Sequence, residues 1–290
     1  MNRIEARDGT QLYVKTLGTG RPVVLFHGWP LSADSWDPQM IALAEAGYQA
    51  IAYDRRGFGR SDQPPTGYDY DTFADDLADV MEATGATQNV ALVGFSMGGG
   101  EIARYMSRHG GKGVSQAVLV SSVVPYMLQT DDNPDGVPQS TFDEMTAGMR
   151  KDFRHFFKQF FKQFYGVGFV TQPVSDEQLE WAWMTAQMAG QYATLQAAKA
   201  FATTDFRPDL ASLTVPTLVI HGTSDKTVPI DATGRVVAKT VPTAELIEYD
   251  GEPHGLFATQ QGRLTQDLLD FLGGSMRGHD GATAAMRLGA

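Results

Sequence analysis

The feature that most constrains this chain is a serine flanked by glycines where a strand pattern meets a helix pattern. Gly94-Phe95-Ser96-Met97-Gly98 follows the apolar residues 90–93 and precedes helical periodicity over 97–108. The chain must turn so sharply there that the neighbours of the serine lack room for a Cβ, which predicts glycine on both sides. A Gly-rich turn with a chance serine is the alternative, but the strand–turn–helix context favours an exposed nucleophilic serine. Met97, first in the helix, has a free backbone N–H that can stabilise a developing oxyanion.

The rest of the chain alternates short apolar runs with helical patterns. Residues 2–7 and 11–17, joined by Asp8-Gly9, predict a hairpin. Further strands are predicted at 22–27, 49–53, 90–93, 116–121, 217–221 and 245–249, and helices at 36–46, 71–84, 97–108, 232–240 and 262–272. This alternation predicts an α/β fold with a parallel sheet and right-handed crossovers.

One long segment interrupts the alternation. Residues 123–212 are helical and rich in aromatic residues, with no clear buried strand, which predicts a helical cap inserted into the core. The predicted organisation is therefore a core of residues 1–122 and 213–273, a cap of residues 123–212, and a Gly- and Ala-rich C-terminal tail of residues 274–290 outside the core.

Composition excludes several kinds of partner and cofactor. A net charge of −11 argues against nucleic acid and anionic membrane surfaces as partners. The absence of cysteine excludes disulfides and thiolate metal sites, and no His, Asp or Glu cluster has metal-ligand spacing. We therefore expect no metal and no cofactor. The N-terminus lacks the apolar run of a signal peptide, and no stretch approaches the ~20 apolar residues of a membrane helix, so a cytoplasmic location is expected.

A nucleophilic serine needs a base, and His254 is the best candidate among six histidines. It lies in Glu252-Pro253-His254-Gly255, a loop after a late strand, which would place it at the same sheet edge as Ser96. His27 and His221 also end strands, each before a glycine, and we interpret both as structural histidines.

The base in turn needs a carboxylate to fix its tautomer. Asp225 follows the strand before that of His254, which gives the chain order Ser, Asp, His. Asp231 and Asp250 are alternatives, but Asp231 suits a helix N-terminus and Asp250 suits the turn that precedes His254.

The loop after the 22–27 strand is expected to supply a second oxyanion donor. We assign the N–H of Trp29 in His27-Gly28-Trp29-Pro30 to this role. Pro30 cannot donate a hydrogen bond, and it restricts the conformation of Trp29, which could turn the Trp29 carbonyl into the site. Stiffening of the loop is the simpler interpretation of Pro30.

The cap contains a phenylalanine stripe at helical spacing, formed by Phe153, Phe157, Phe160 and Phe164. Such a stripe could simply pack the cap onto the sheet. Alternatively, part of it lines an apolar acyl pocket, and the predicted pocket residues are Trp29, Pro30, Val123, Met127, Phe160 and Phe164.

Taken together, these motifs resemble those of the cofactor-free bacterial haloperoxidases, or perhydrolases, which are close to arylesterases and γ-lactamases. The resemblance rests on His27-Gly28-Trp29-Pro30, Asp54 to Ser61, Gly94 to Gly99, Thr204-Asp205-Phe206-Arg207, His221-Gly222 with Asp225, and Pro253-His254-Gly255, with further similarity at 131–138. It covers the chain up to about residue 273.

The resemblance implies an α/β-hydrolase fold with a mostly parallel eight-stranded sheet, helices on both faces and an inserted helical cap. It implies Ser96, Asp225 and His254 as the catalytic triad, with Trp29 and Met97 as oxyanion donors. In that group the serine takes an acyl group from a small-molecule ester or carboxylic acid, and hydrogen peroxide as co-substrate releases a peracid that can oxidise halide. Members with proline at the position of Pro30 tend to be better at perhydrolysis, and members often form dimers or trimers.

Two other functions remain as alternatives. A carboxylesterase, arylesterase or γ-lactamase would use only water, on esters or lactams. A non-catalytic receptor for small molecules on the same fold is more distant, because a receptor needs no ordered triad.

Overall fold

A computed structural model describes residues 3–274 and contains an eight-stranded sheet. The strands are β1 Arg3–Glu5, β2 Gln11–Leu17, β3 Arg21–Phe26, β4 Tyr48–Tyr53, β5 Val90–Phe95, β6 Val114–Val120, β7 Thr217–Gly222 and β8 Ala244–Tyr249. Their order in the sheet is β1-β2-β4-β3-β5-β6-β7-β8. Strand β2 pairs antiparallel with β1 and β4, and the other pairs are parallel. The predicted mostly parallel eight-stranded sheet is confirmed.

Ten α-helices and two short 3-10 helices complete the fold of residues 3–274. The α-helices are α1 Asp37–Glu45, α2 Tyr70–Ala83, α3 Met97–Arg108, α4 Gln139–Lys151, α5 Phe153–Phe164, α6 Asp176–Gln187, α7 Gln191–Thr203, α8 Gly234–Thr240, α9 Leu256–Thr259 and α10 Gln261–Leu272. The 3-10 helices are Ala33–Trp36 and Arg207–Ser212. Over residues 3–274, no helix is long and apolar enough to cross a membrane.

The middle of the sheet is covered on both faces. Helix α1 packs against α10, and α2 packs against α3. Strands β5 and β7 are buried along their whole length, and β3, β4 and β6 are buried in their C-terminal halves. Burial on both faces explains why these strands read as continuous apolar runs, without alternation of polar residues.

The segment 123–212 lies between β6 and β7, which are neighbours in the sheet. It forms α4 to α7 and the second 3-10 helix, and none of its residues belongs to a named strand of the described sheet. Its two ends are held together, because the Phe206 N–H donates to the Pro125 carbonyl at 2.8 Å. The Arg207 guanidinium also bridges Asp205 and Asp132. The predicted tail, apart from Gly274, lies outside the described residues.

Candidate active site

The predicted serine turn joins β5 to α3 with no residue between them except Ser96. Ser96 has φ +55° and ψ −116°, a conformation that side chains rarely adopt and that marks a strained position. A Cβ on Gly94 would lie 2.6 Å from the carbonyl carbon of Gly98, and one on Gly98 would lie 2.7 Å from the Phe26 Cβ. Both glycines are therefore required by the close approach of the backbone, as the sequence predicted.

Three predicted residues form one chain of hydrogen bonds at the carboxyl edge of the sheet. The Nε2 atom of His254 lies 2.9 Å from Ser96 Oγ, and its Nδ1 atom lies 2.6 Å from Asp225 Oδ2. A carboxylate accepts only, so Nδ1 carries the proton and Nε2 is free to accept from the serine hydroxyl. This is the arrangement that activates a serine.

The Asp225 carboxylate is fully surrounded by N–H donors. Its Oδ1 atom accepts from the backbone N–H groups of Thr227 and Val228 at 2.9 Å and 2.8 Å. Its Oδ2 atom faces His254 and also His221, whose Nε2 lies 3.3 Å away. Burial acts to raise the pKa of the Asp225 carboxyl, but His254 and His221 outweigh it and hold that pKa well below its ordinary value. Asp225 is thus an anion near neutral pH.

The alternative carboxylates lie elsewhere. Asp250 accepts from the Thr223 hydroxyl at 3.3 Å, in the turn after β8. Asp231 pairs with Arg235 at 2.6 Å on an exposed surface. Neither is hydrogen-bonded to His254.

His27 has a structural environment, whereas His221 combines structural contacts with a contact to Asp225. His27 accepts from the Arg55 N–H at 3.0 Å, and its Nδ1 donates to the Gly28 carbonyl at 2.9 Å. Burial, with Arg55 beside it, lowers the pKa of His27 well below its ordinary value. The sequence predicts a structural role for His221 as well, and no pattern in it indicates that this side chain reaches the carboxylate of the candidate triad.

The two predicted oxyanion donors flank the serine turn. Met97 is the first residue of α3, and Trp29 follows Gly28 in the loop after β3. That loop passes close to the serine, because a Cβ on Gly28 would lie 3.2 Å from the Ser96 Cβ. Within residues 3–274, the backbone N–H groups of Trp29 and Met97 donate to no protein acceptor, so both are free for a substrate oxygen. The Trp29 indole donates to the Thr194 carbonyl in α7 at 3.0 Å, and the Trp29–Pro30 peptide bond is cis.

Buried ionic groups brace this edge of the sheet. The Arg55 guanidinium donates to the His27 carbonyl at 2.8 Å and pairs with Glu101 in α3. The Tyr53 hydroxyl donates to the other oxygen of Glu101 at 2.6 Å. Burial raises the pKa of Glu101, and Arg55 opposes that shift. The loop that carries Trp29 is thereby tied to the helix that carries Met97.

A cavity of about 550 Å³ opens onto Ser96 and His254. Four of the predicted pocket residues line it, namely Trp29, Val123, Met127 and Phe160. Pro30 and Phe164 are not among the lining residues, and Phe164 is instead fully buried beside His254. Sequence reasoning missed the aromatic side chains Phe142, Phe156 and Phe201, which come from α4, α5 and α7. His155 also lines this cavity, together with the charged groups Glu144, Lys151, Asp152 and Lys226.

Comparison with known proteins agrees with this geometry. Residues 21–260 match the family model described as the alpha/beta hydrolase fold. A non-heme chloroperoxidase from Kitasatospora aureofaciens is 42% identical over 92% of this chain and 97% of its own length. A bifunctional esterase/perhydrolase from Acinetobacter calcoaceticus is 39% identical over 94% of this chain and 99% of its own.

A solved structure gives the same answer at the level of the fold. The crystal structure of a bromoperoxidase from Bacillus anthracis superposes with a TM-score of 0.89 at 42% identity, covering 93% of this chain and 99% of that one. The expected fold and resemblance are confirmed. This chain belongs to the α/β-hydrolase family, in the group that includes the non-heme haloperoxidases.

Proposed function

We propose that this protein is a serine hydrolase and acyltransferase in which Ser96 carries the acyl group. One observation supports this most, namely the hydrogen-bond chain from Asp225 through His254 to Ser96 at the wall of a cavity. We infer that residues 123–212 act as a cap, since their helices supply most of the aromatic lining of that cavity.

Acylation uses only groups already in place. Ser96 Oγ attacks the carbonyl carbon of an ester as its proton passes to His254 Nε2. The negative charge on the carbonyl oxygen is stabilised by the N–H groups of Trp29 and Met97. The carbon–oxygen bond to the alcohol then breaks, and His254 returns its proton to the leaving oxygen. Asp225 stabilises the transient imidazolium.

Deacylation admits two nucleophiles. Water gives a carboxylic acid, and hydrogen peroxide gives a peracid. In either case His254 takes a proton from the attacking oxygen and returns it to Ser96 Oγ as the acyl–serine bond breaks. A released peracid can oxidise halide ion to hypohalous acid and revert to the carboxylic acid, so halide oxidation requires no further group on the protein. The esterase/perhydrolase and haloperoxidase relatives support this second branch.

The lining of the cavity supports the proposal that the substrates are small-molecule esters with an apolar part. Its aromatic and aliphatic lining favours apolar acyl or alcohol groups, and a free carboxylic acid is the second expected acyl donor. An esterase or lactamase that uses only water would need the same triad, so the choice of nucleophile has to be measured.

The decisive experiment uses the Ser96→Ala variant with ester hydrolysis and peracid formation assayed in parallel. Both rates should fall by on the order of 10⁴-fold, as for removal of a triad nucleophile. The thermal unfolding midpoint should change little. A folded Ser96→Ala variant with substantial activity would refute the proposal. If ester hydrolysis is lost in the variant but the wild type forms no peracid, the water-only esterase is the correct function.

A further inference from the structure

A second buried histidine contacts the carboxylate of the candidate triad. His221 lies near the end of β7, and its side chain is 0% exposed, as is that of Asp225. Its Nε2 atom lies 2.9 Å from the Val228 carbonyl oxygen and 3.3 Å from Asp225 Oδ2. Since both neighbours only accept hydrogen bonds, Nε2 carries the proton and donates to them.

The Nδ1 side of the His221 imidazole makes no hydrogen bond to the described residues that would compete with the contact to Asp225. Within the described part of the chain, His221 Nδ1 is buried and has no hydrogen-bond partner. A Cβ on Gly234, the first residue of α8, would lie 2.9 Å from that atom, so glycine leaves just enough room for the ring. The orientation of the imidazole is therefore set by its contacts at Nε2.

The Nε2–H of His221 can influence His254, the candidate base, through the carboxylate of Asp225 that both histidines contact. Asp225 Oδ2 is shared between His254 Nδ1 and His221 Nε2, while Asp225 Oδ1 is held by backbone N–H groups. Glu248, the register partner of His221 on β8, is a second carboxylate close enough to interact electrostatically with His221, and it is paired with Arg235. Donation from His221 lowers the proton affinity of the carboxylate and fixes the direction in which Oδ2 points.

We propose that His221 is a positioning residue that holds the Asp225 carboxylate ionised and aimed at His254. This inference rests on the proposed triad. His221 touches no substrate and acts only through Asp225. Val228 completes the arrangement, since its N–H donates to Asp225 while its carbonyl accepts from His221.

The test compares two polar variants, His221→Asn and His221→Gln. The glutamine side chain can place an N–H near the position of Nε2, whereas asparagine is too short to reach Asp225. We expect His221→Asn to lower kcat for ester hydrolysis by about tenfold, near the low end for a hydrogen bond to a charged group, because the contact is long. KM should change little, and His221→Gln should recover most of the rate.

The pH profile separates positioning from a purely structural role. Without the N–H of His221, the Asp225 carboxylate is more basic and stabilises the imidazolium form of His254 more strongly. Because the base must be neutral to act, the acid limb of the pH profile of kcat/KM should move to higher pH in His221→Asn. His27→Gln, at another buried strand-end histidine, should lower stability without moving that limb. Two outcomes would overturn the inference, provided that both His221 variants fold and Ser96→Ala is inactive. In the first, both variants keep the wild-type kcat and the wild-type acid limb of the pH profile. In the second, both variants lose rate equally and the acid limb of the pH profile does not move. An active Ser96→Ala variant would instead refute the triad itself.

Discussion

The ring of Phe164 stands nearly perpendicular to the imidazole of His254, with 4.9 Å between the ring centroids and an interplanar angle of 83°. The Phe164 carbonyl also accepts from the Gly255 N–H at 2.8 Å, directly after the histidine. Phe95, the residue before Ser96, packs on the same imidazole at 4.9 Å. The candidate base is therefore held between the serine turn and the last residue of α5, so segment 123–212 helps to position His254 as well as to line the cavity.

The first prediction concerns the carboxylate. Asp225→Asn keeps the size of the side chain but removes the charge that stabilises the His254 imidazolium, and it can present an N–H to His254 Nδ1. We expect kcat for ester hydrolysis to fall by on the order of 10⁴-fold. Asp250→Asn, in the same region of the chain, should retain nearly full activity. The reverse pattern in steady-state kinetics would assign the role to Asp250.

The second prediction concerns stability in acid. The pKa of Asp225 lies below its ordinary value in the folded protein. Its contribution to stability is therefore fully present above about pH 5, where the carboxyl of the unfolded chain is ionised as well, and is lost as pH falls toward the lower native pKa. Asp225→Asn lacks this proton linkage, so the wild type should lose stability relative to the variant between about pH 5 and pH 2. Urea unfolding across this range measures the difference, and a constant difference would contradict the linkage.

The third prediction separates two adjacent phenylalanines of α5. Phe160 lines the cavity and lies 5.5 Å from the Trp29 ring, whereas Phe161 is 1% exposed and does not line the cavity. The measured quantity is kcat/KM for an ester with a bulky apolar acyl group divided by kcat/KM for the acetate ester. Phe160→Ala should raise this ratio about tenfold above that of the wild type. Phe161→Ala should cost about 3–5 kcal/mol of stability with no change in that ratio. Equal ratios in both variants would remove Phe160 from the acyl pocket.

The serine turn could be predicted because its signal is local. The motif spans only five consecutive residues, from Gly94 to Gly98. The residues immediately before and after it predict the flanking strand and helix. The order of Asp225 and His254 on successive strands likewise places them at one edge of a parallel sheet. Such features depend on chain geometry, not on which side chains pack together.

The cap contacts could not be predicted in the same way. The phenylalanine stripe of α5 identifies an apolar face but not what that face packs against. The sequence therefore predicts Phe164 in the pocket, whereas the structure packs its ring on His254. The lining residues Phe142 and Phe201 come from separate helices, and only the packing of those helices brings them together. His221 reaches Asp225 because the 225–228 loop folds back on β7, which no local pattern indicates.

The last prediction concerns the choice between water and peroxide. The N–H groups of Trp29 and Met97 stabilise the oxyanion for both nucleophiles, so they cannot discriminate between them. Hydrogen peroxide has a second hydroxyl that water lacks, and a carbonyl directed into the site could accept a hydrogen bond from it. Pro30 restricts the conformation of Trp29 and so constrains the direction of the Trp29 carbonyl.

One such hydrogen bond is worth roughly 0.5–1.5 kcal/mol, or about two- to tenfold in a rate ratio. Pro30→Leu should therefore lower the ratio of peracid formation to acid release by that factor, with ester hydrolysis kept or increased. Pro30→Ala, which removes the ring without adding bulk, should lower the ratio similarly if the constraint itself is responsible. Both products are measured from one ester at fixed peroxide concentration. An unchanged ratio in folded variants would leave Pro30 with only a stiffening role in the loop, and the selection of peroxide would then have to come from the cavity wall.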